Sequence, residues 1–419
     1  MWVFLAIVGG ALLVVLIANL STSEKKIEQE IEHRYSVRDP EFARSLGTLL
    51  GPAILAGNSV TPLINGNQIF PAMLDAIRAA RRTITFETFI YWSGEIGKAF
   101  AQALIERAEA GIRVHVLLDW LGTGKMDKAV LQQMERGGVT VVKYHPLRWY
   151  NVGRLNNRTH RKLLVIDGKI GFTGGVGIAD NWLGNAEDAD HWRDSHFKVL
   201  GPAVAQIQAA FMDNWIETTA GVLHGNDYFP ELTPAGDHQA QMFKSAANEA
   251  SESVRLMYLL SIASAAESVR IANAYFVPDE LAVRTMVAAQ RRGVRVEIIV
   301  PGRHIDAKVV RRASRSRWEP LLEAGVAIYE YQPTMYHTKV MVVDGMLTSV
   351  GSTNFDNRSF RLNDEANLNI LDEGFAASQV QQFEEDKQRS KQLTLADWRS
   401  RPWRERVVEW LAGLLRLQL

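Results

Sequence analysis

Two segments of the chain carry histidine, lysine and aspartate at the same spacing. THRKLLVID (159–167) and YHTKVMVVD (336–344) both contain the pattern His-x-Lys-x4-Asp, with apolar residues before the aspartate. An imidazole of near-neutral pKa can act as a nucleophile or as a general acid and base, and a nearby ammonium group can neutralise phosphate oxygens. Two such histidines at one phosphorus atom could divide the work, since one attacks while the other protonates the leaving alkoxide. The candidate catalytic residues are His160, Lys162, Asp167, His337, Lys339 and Asp344.

A turn of small residues follows each motif. The first is GGVG (174–177) and the second is GSTN (351–354). Glycine lets the backbone approach a ligand closely, and serine and asparagine side chains add hydrogen-bond donors. The candidate substrate-binding residues are therefore Gly174, Gly175, Ser352 and Asn354. Gly177 stands where the second turn has Asn354, so the first turn lacks that donor.

A nucleophilic histidine needs an acidic partner that holds its other ring nitrogen. Asp194 follows the first motif and Glu365 follows the second, each at the start of a strand-like run. We expect each to orient the histidine of its own half, Asp194 with His160 and Glu365 with His337. Asp167 and Asp344 come at the ends of predicted strands, and we interpret them as structural carboxylates that bond to backbone or basic groups near the turn.

The motifs lie in a duplicated unit. AGIRVHVLLD (110–119) matches RGVRVEIIVP (292–301), and RGGVTVVKYHP (136–146) matches EAGVAIYEYQP (323–333), in the same order and about 180 residues apart. Within each unit, apolar spacing of three to four residues indicates helices, and runs rich in Val and Ile indicate strands. The predicted fold is α/β, with two tandem units related by pseudo-two-fold symmetry.

The termini and the region between the units complete the predicted organisation. Residues 219–250 begin with a stretch rich in Gly, Pro and Asp, which is typical of a linker. Thirteen residues separate Pro146 from His160, a ten-residue insertion relative to the second unit, which forms either a solvated loop or a contact with ligand or membrane. The predicted segments are 1–20 (transmembrane anchor), 21–58 (juxtamembrane), 59–218 (first unit), 219–250 (linker), 251–395 (second unit) and 396–419 (amphipathic C-terminal helix).

Both termini suggest contact with a membrane. Residues 1–20 contain no charged side chain, and a run of ~20 apolar residues can span a bilayer as a helix. We favour an uncleaved anchor over a cleaved secretory signal, and the basic residues that follow place the remaining chain in the cytoplasm. Near the C-terminus, Trp403, Val407, Trp410 and Leu414 recur at helical spacing among arginines. This pattern favours an interfacial membrane helix, and a helix docked on the protein's own core is the alternative.

Composition excludes several classes of site. The 419 residues are 47% hydrophobic and 22% charged, with a formal net charge of zero, so the chain has no overall basic character for binding nucleic acid. Because there is no cysteine, disulfides, thiolate nucleophiles and cysteine-ligated metals are excluded. His191 and His196 flank Asp194, but no further ligand cluster stands nearby, and we interpret them as structural.

The duplicated motif resembles the phospholipase D superfamily over about residues 59–390. GSTNFDNRSFRLNDEANL (351–368) closely resembles the second motif of bacterial cardiolipin synthases, and HWRDSHFKVLGPAVAQIQAAFMDNW (191–215) and NAYFVPD (273–279) are similar to the same group. The resemblance implies a covalent phosphohistidine on His160, with His337 as the general acid and no metal or cofactor.

The same resemblance implies a reaction and a place in the cell. Two phosphatidylglycerol molecules would give cardiolipin and glycerol at the bacterial inner membrane. The basic residues after the predicted anchor add that the catalytic units are cytoplasmic, and the neutral net charge adds that nucleic acid is not a partner. Phosphatidylethanolamine is an alternative co-substrate. The motifs leave open a hydrolase on the same scaffold, either a phospholipase D or a nuclease, and a non-catalytic membrane scaffold.

Overall fold

The structure is a computed structural model that describes residues 27–147, 156–246 and 252–414, together with Trp2, Gly9, Gly10 and Val14. The first half begins with helix α1, and helices and strands then alternate as predicted as far as β4. Its helices are α1 (Pro40–Leu50), α2 (Asn65–Ala79), α3 (Glu95–Glu109), α4 (Lys128–Arg136) and α5 (Ala203–Thr219). Its strands are β1 (Leu55–Ile64), β2 (Thr83–Thr88), β3 (Arg113–Asp119), β4 (Thr140–Tyr144), β5 (Arg158–Thr159), β6 (Leu163–Ile166), β7 (Ile170–Gly174) and β8 (Ser195–Leu200).

The second half repeats this order and adds helices at its C-terminal end. Its strands are β9 (His238–Ser245), β10 (Ser268–Asn273), β11 (Arg295–Pro301), β12 (Ala327–Tyr331), β13 (Lys339–Val343), β14 (Leu347–Gly351), β15 (Asn363–Leu371) and β16 (Ser390–Leu393). Its helices are α6 (Ser253–Ala263), α7 (Glu280–Arg291), α8 (Lys308–Arg315), α9 (Glu319–Glu323), α10 (Asn357–Arg361), α11 (Glu373–Gln388), α12 (Leu395–Arg399) and α13 (Trp403–Gly413).

The strand orders of the two halves correspond one to one. The first half has the order β4-β3-β2-β6-β7-β8-β1, and the second has β12-β11-β10-β13-β14-β15-β9. In both, the three strands that precede the histidine motif are parallel, and the following strands are antiparallel. The predicted tandem α/β architecture is therefore confirmed.

The correspondence also shows where the predicted segments differ from the structure. Strand β9, the counterpart of β1, lies within the predicted linker 219–250 and pairs with β15 along its length. Strand β1 begins at Leu55, inside the predicted juxtamembrane segment. Both strands alternate polar and apolar residues weakly, so their pairing partners, and not their own periodicity, determine that they are strands.

The core has three parts. One cluster packs helices α6, α7 and α9 on the outer face of the second-half sheet, and another packs α2, α3 and α4 on the outer face of the first-half sheet. The third lies on the opposite face of the strands in both halves, which form one continuous sheet, and includes apolar residues of α5 and α11. Strands β6 and β13 are consequently buried on both faces, which explains the continuous apolar run LLVI in β6 and the run VMVV that follows Lys339 in β13.

The strand ends define two opposite edges of the sheet. Strands β3, β4, β11 and β12 end at the edge where β6 and β13 begin, and the histidines lie there. We call it the active-site edge, and we call the opposite edge, at which β6 and β13 end, the far edge.

Of the two predicted membrane elements, the structure describes only the C-terminal one. The predicted span at 1–20 lies outside the described residues except for the four isolated positions given above. Among the helices of the described residues, none has the length and apolar character needed to cross a bilayer. In the predicted C-terminal segment 396–419, the described residues form two helices, the end of α12 and the whole of α13 (Trp403–Gly413).

Candidate active site

The two histidines lie buried at the active-site edge, directly before β6 and β13. The segment before each histidine pairs with the other half of the molecule. Strand β5 pairs in parallel with the start of β15, and the His160 amide donates to the Asp364 carbonyl at 2.9 Å. In the same way, the His337 amide donates to the Arg193 carbonyl at 2.7 Å. Each histidine is therefore held at the start of a strand from the other half, β15 for His160 and β8 for His337.

This pairing crosses the acidic partners between the halves. His160 Nδ1 lies 3.0 and 3.1 Å from the Glu365 carboxylate oxygens, and His337 Nδ1 lies 2.7 Å from Asp194 Oδ2. The prediction that each carboxylate orients the histidine of its own half is wrong. The sequence identified both acids and both histidines, but their pairing depends on the non-local contacts of β5 with β15 and of Arg193 with Tyr336.

The crossed pairs fix the chemistry that each ring can perform. When Nδ1 donates to the carboxylate, Nε2 carries the lone pair and is the nitrogen left for reaction. Burial lowers the pKa of His160 to about 4, although Glu365 opposes the shift. Burial also lowers the pKa of His337, despite Asp194. Both rings are thus neutral near pH 7 without ligand, which is the state a nucleophile requires.

The carboxylates remain ionised in spite of their burial. Burial alone would raise the pKa of Asp194, but His337 and Lys339 outweigh it and the net shift is downward. Glu365 shows the same balance, because His160 and Lys162 hold its pKa below the ordinary value. Each acid can therefore stabilise an imidazolium that forms on the histidine beside it.

The two lysines flank the histidines. Lys162 Nζ donates to the His160 carbonyl and Lys339 Nζ to the His337 carbonyl, each at 2.7 Å. Burial lowers the pKa of Lys162 to about 7 and that of Lys339 to about 8, and the nearby acids only partly oppose it. An incoming phosphodiester would supply negative charge that favours the charged form of both.

The two halves complete their carboxylates differently. In the second half, the Ser352 hydroxyl donates to Glu365. The equivalent residue, Gly175, has no such donor, and a Cβ there would lie 2.2 Å from Asp194 Oδ1. In its place, the indole Nε1 of Trp182 donates to Asp194 Oδ2 at 2.9 Å. Trp182 was not identified from the sequence, since nothing in its spacing marks it.

The same tryptophan accounts for Gly177. A Cβ at this position would lie 2.8 Å from Ile90 Cβ and 3.3 Å from the Trp182 ring, so the space of an asparagine side chain is already filled. Asn354 in the second half is buried, and its Oδ1 has no hydrogen-bond partner among the described residues. A buried acceptor of this kind is rare in proteins and is consistent with a ligand contact.

Aromatic rings enclose both imidazoles. Phe89 meets His160 with ring centroids 5.4 Å apart, and Trp182 and Trp192 meet His337 at 5.2 and 5.6 Å. Such packing limits ring rotation and excludes water. Of these three aromatic residues, only Trp192 lies in a segment (191–215) that the family resemblance marks in the sequence.

Asp167 and Asp344 lie at the far edge, apart from the histidines. The Asp167 carboxylate accepts hydrogen bonds from the amides of residues 81–83, and Asp344 accepts from those of residues 266–268. Both adopt positive φ angles, 53° and 51°, in the turns after β6 and β13. They join each strand end to the start of β2 or β10. Asp167 and Asp344 therefore share the sequence motif with the histidines and lysines but lie at the opposite end of the strands.

Gly174, Gly175 and Ser352 border the carboxylates, and Asn354 follows in the same loop. Gly174 has φ 151°, and a Cβ would lie 2.6 Å from the Ser195 carbonyl, so the close approach of β7 to β8 requires glycine.

Elsewhere in the described residues, one group of side chains has metal-ligand spacing. It consists of Glu187, Asp188 and His191, on an exposed loop.

Comparison with known proteins assigns the family. A family model described as cardiolipin synthase, PLD-like domain, matches residues 73–215 and 258–387. The chain belongs to this family. The two matched segments carry one histidine motif each, so the resemblance to the phospholipase D superfamily inferred from the motifs is confirmed.

Relatives extend the similarity beyond the two matched segments. A cardiolipin synthase of Geobacillus thermodenitrificans is 35% identical over 367 residues, which covers 87% of this chain and 73% of that protein. Cardiolipin synthase A of Pseudomonas putida is 35% identical over 371 residues, covering 88% and 76%. The crystal structure of phosphatidylserine synthase from Haemophilus influenzae matches with a TM-score of 0.65 at 15% identity, over 90% of this chain and 100% of that one. At this identity, the last match supports the fold alone.

Proposed function

We propose that this enzyme is a phosphatidyltransferase that joins two phosphatidylglycerol molecules into cardiolipin and releases glycerol. The observation that carries the proposal is the pair of buried histidines, each held at Nδ1 by a carboxylate from the other half and flanked by a lysine. The family assignment and the relatives named as cardiolipin synthases point to the same reaction.

In the first step, His160 Nε2 attacks the phosphorus of one phosphatidylglycerol. The P–N bond forms as the P–O bond to the glycerol headgroup breaks, and His337 gives its Nε2 proton to the departing alkoxide. His337 is neutral in the free site. The phosphodiester charge raises its pKa on binding, so the ring takes up the Nε2 proton from solvent together with the substrate. Lys162 and Lys339 neutralise the non-bridging oxygens, and Glu365 stabilises the positive charge that develops on His160.

The second step reverses the roles. Neutral His337 takes the proton from a hydroxyl of the second phosphatidylglycerol, whose oxygen attacks the phosphorus. The P–N bond breaks, His160 is restored, and the product is cardiolipin. Water in place of the second lipid would give phosphatidic acid, so the outcome depends on excluding water from the phosphohistidine.

Several assignments belong to this proposal. Gly174, Gly175, Ser352 and Asn354 border the phosphate position, and the orphan acceptor of Asn354 supports a ligand contact there. We assign Asp167 and Asp344 a structural role because their oxygens are occupied by backbone amides at the far edge. The lipid substrates and the apolar residues 1–20 support action at the bacterial inner membrane, with the catalytic units on the cytoplasmic side.

The test is turnover in vesicles of phosphatidylglycerol with a chelator present and the lipid products identified by mass. Cardiolipin with an equal amount of glycerol is expected, and both should vanish in His160→Ala and in His337→Ala. Phosphatidic acid without cardiolipin would indicate a hydrolase instead. If turnover requires added phosphatidylethanolamine, that lipid is the co-substrate. Release of ethanolamine would show that it donates the phosphatidyl group, and release of glycerol would show that it accepts the group.

A further inference from the structure

Helix α13 presents its apolar side to solvent. Its buried residues are Glu409, Ala412 and Gly413. Glu409 accepts a hydrogen bond from Arg315 at 2.7 Å and lies 3.1 Å from Arg401, and a Cβ on Gly413 would lie 2.8 Å from Ser316. The helix is therefore attached through a charged and small-residue face. This is the reverse of a helix that docks on a core through its apolar side.

The opposite face is a continuous apolar stripe. At 100° per residue, its members fall within an arc of about 100°, on the side away from Glu409 and Ala412. They are Trp403, Val407, Trp410, Leu411 and Leu414, which are 69%, 46%, 63%, 50% and 57% exposed. We call these five residues the apolar stripe. Arg404 and Arg406 flank it and are exposed. An exposed stripe with two tryptophans and flanking arginines is typical of a helix that lies in the headgroup layer of a bilayer.

Helix α13 lies at the active-site edge. It packs on α8, which follows the C-terminal end of β11, and Ala412 shares an apolar cluster with Val277 and Val310. The amide of Val277 donates to the Phe355 carbonyl, one residue after Asn354. One layer of side chains therefore separates the helix from the loop that borders the candidate phosphate position.

Other exposed apolar residues lie at the active-site edge, and they support the same interpretation. In the first half, Trp120 and Leu121 follow β3 and Leu147 follows β4, and all three are exposed. Ile27, the first residue of the described range after the N-terminal apolar run, hydrogen-bonds to Glu252 and Arg255 just before and within α6. That helix begins at the active-site edge, because β9 ends there opposite Glu365. The chain from the predicted anchor thus arrives at the same edge.

We propose that the active-site edge docks on an anionic phospholipid leaflet and that α13 lies in the headgroup layer with the apolar stripe in contact with acyl chains. Arg404 and Arg406 would meet lipid phosphates on either side of the stripe. The histidines then face the leaflet, and a lipid headgroup reaches them without leaving the membrane. This inference rests on the proposed function, because it takes a membrane lipid as the substrate.

The absence of cysteine in the chain permits a direct test. The full chain carrying Trp410→Cys is labelled with an environment-sensitive fluorophore and reconstituted into vesicles of phosphatidylglycerol and phosphatidylcholine. The matched control is Phe229→Cys, which is 37% exposed and lies beside the turn at Gly168 on the far edge. Lipids with nitroxide groups on their acyl chains should quench the label at 410 by about twofold or more and leave the label at 229 nearly unchanged.

Equal, weak quenching at both positions would overturn the proposal. So would a label at 410 that escapes the nitroxide lipids while energy transfer shows a second copy against it, because the stripe would then be a self-association surface. These readouts do not require turnover, so they remain decisive if the protein makes no cardiolipin.

A second measurement connects docking to catalysis. The double variant Trp403→Ser with Trp410→Ser should lower cardiolipin formation in vesicles by about tenfold, since the leaflet is held less well against the site. Its rate on dihexanoyl phosphatidylglycerol dispersed as monomers should match the unaltered enzyme. Phe229→Ser is the control, and thermal unfolding checks that each variant is folded. An equal loss on both substrates would mean that the stripe supports the fold and not the docking.

Discussion

His337 and Asp194 lie 2.7 Å apart although 143 residues separate them in sequence and they belong to different halves of the molecule. The reciprocal pair, His160 and Glu365, spans 205 residues. Neither half therefore holds a complete acid–histidine pair by itself. The duplicated units must be assembled before either ring has its reactive nitrogen oriented.

The crossed pairs predict which carboxylate serves which step. Glu365→Gln should behave like His160→Ala and fail to form the phosphohistidine. Asp194→Asn should behave like His337→Ala, because it impairs the acid and leaves the nucleophile oriented. A phosphatidyl ester with a nitrophenol leaving group needs no acid, so Asp194→Asn should still label His160 with this substrate.

The measurement is trapping of the covalent adduct together with steady-state turnover on phosphatidylglycerol. Each variant should lose about 10²–10⁴-fold in turnover on the natural lipid. If Asp194→Asn abolishes the adduct and Glu365→Gln keeps it, either the assignment of the nucleophile to His160 or the crossed pairing is incorrect. Mapping the labelled histidine by mass distinguishes the two.

Trp182 should act as a positioning residue through its hydrogen bond to Asp194. Trp182→Phe keeps an aromatic ring against His337 and removes the donor, so turnover should fall about 10–100-fold, the range found when a group that orients a metal-binding histidine is removed. Trp192→Phe is the matched control, because Trp192 also packs on His337.

The two tryptophan variants are compared by turnover on the natural lipid and on the activated ester. Trp182→Phe should lose activity mainly on the natural lipid, since its defect lies with the acid. Equal losses for both variants on both substrates would show that ring packing alone matters.

Restoring an asparagine at Gly177 should harm the protein. The Cβ would lie 2.8 Å from Ile90, so Gly177→Asn should lower the free energy of unfolding by about 1–3 kcal/mol. In an Ile90→Gly background, which removes the Cβ that a side chain at 177 would meet, Gly177→Asn should cost less than it does in the unaltered protein. Chemical denaturation measures both, and a Gly177→Asn variant that is as stable and more active would contradict the space argument.

The lysines predict an alkaline limit for the free enzyme. Their pKa values lie at about 7 for Lys162 and about 8 for Lys339, so positive charge is present below these values and is lost as pH rises through them. Accordingly kcat/KM should decline across this range. Bound phosphodiester favours the charged lysines, so the decline in kcat should lie at higher pH. A kcat/KM that stays level to about pH 9 would show that the lysines are charged in the free site.

The C-terminal helix α13 could be predicted from the sequence, but the way it attaches to the protein could not. Its apolar spacing was visible in the sequence, and so were both alternatives, an interfacial helix and a helix docked on the core. Glu409 decided the attachment, since its contacts with Arg315 and Arg401 hold the polar face inward. A buried glutamate between two arginines cannot be inferred from helical periodicity, because both arginines lie outside the helix.

The sequence by itself determined the duplicated motif, the α/β alternation and the identities of the histidines, lysines and acids. These follow from local spacing and from repetition, which the order of residues records directly. Tertiary structure alone decided that the acids cross between the halves, that Trp182 replaces a serine as the donor to Asp194, and that β9 pairs with β15 and β1 and so joins the two halves in one sheet. The crossing of the acids and the place of β9 depend on pairing between segments far apart in the chain, as when β5 adds to β15 and carries His160 to Glu365. The contact of Trp182 with Asp194 spans only 12 residues, but it depends on a loop conformation that no periodicity in the sequence records.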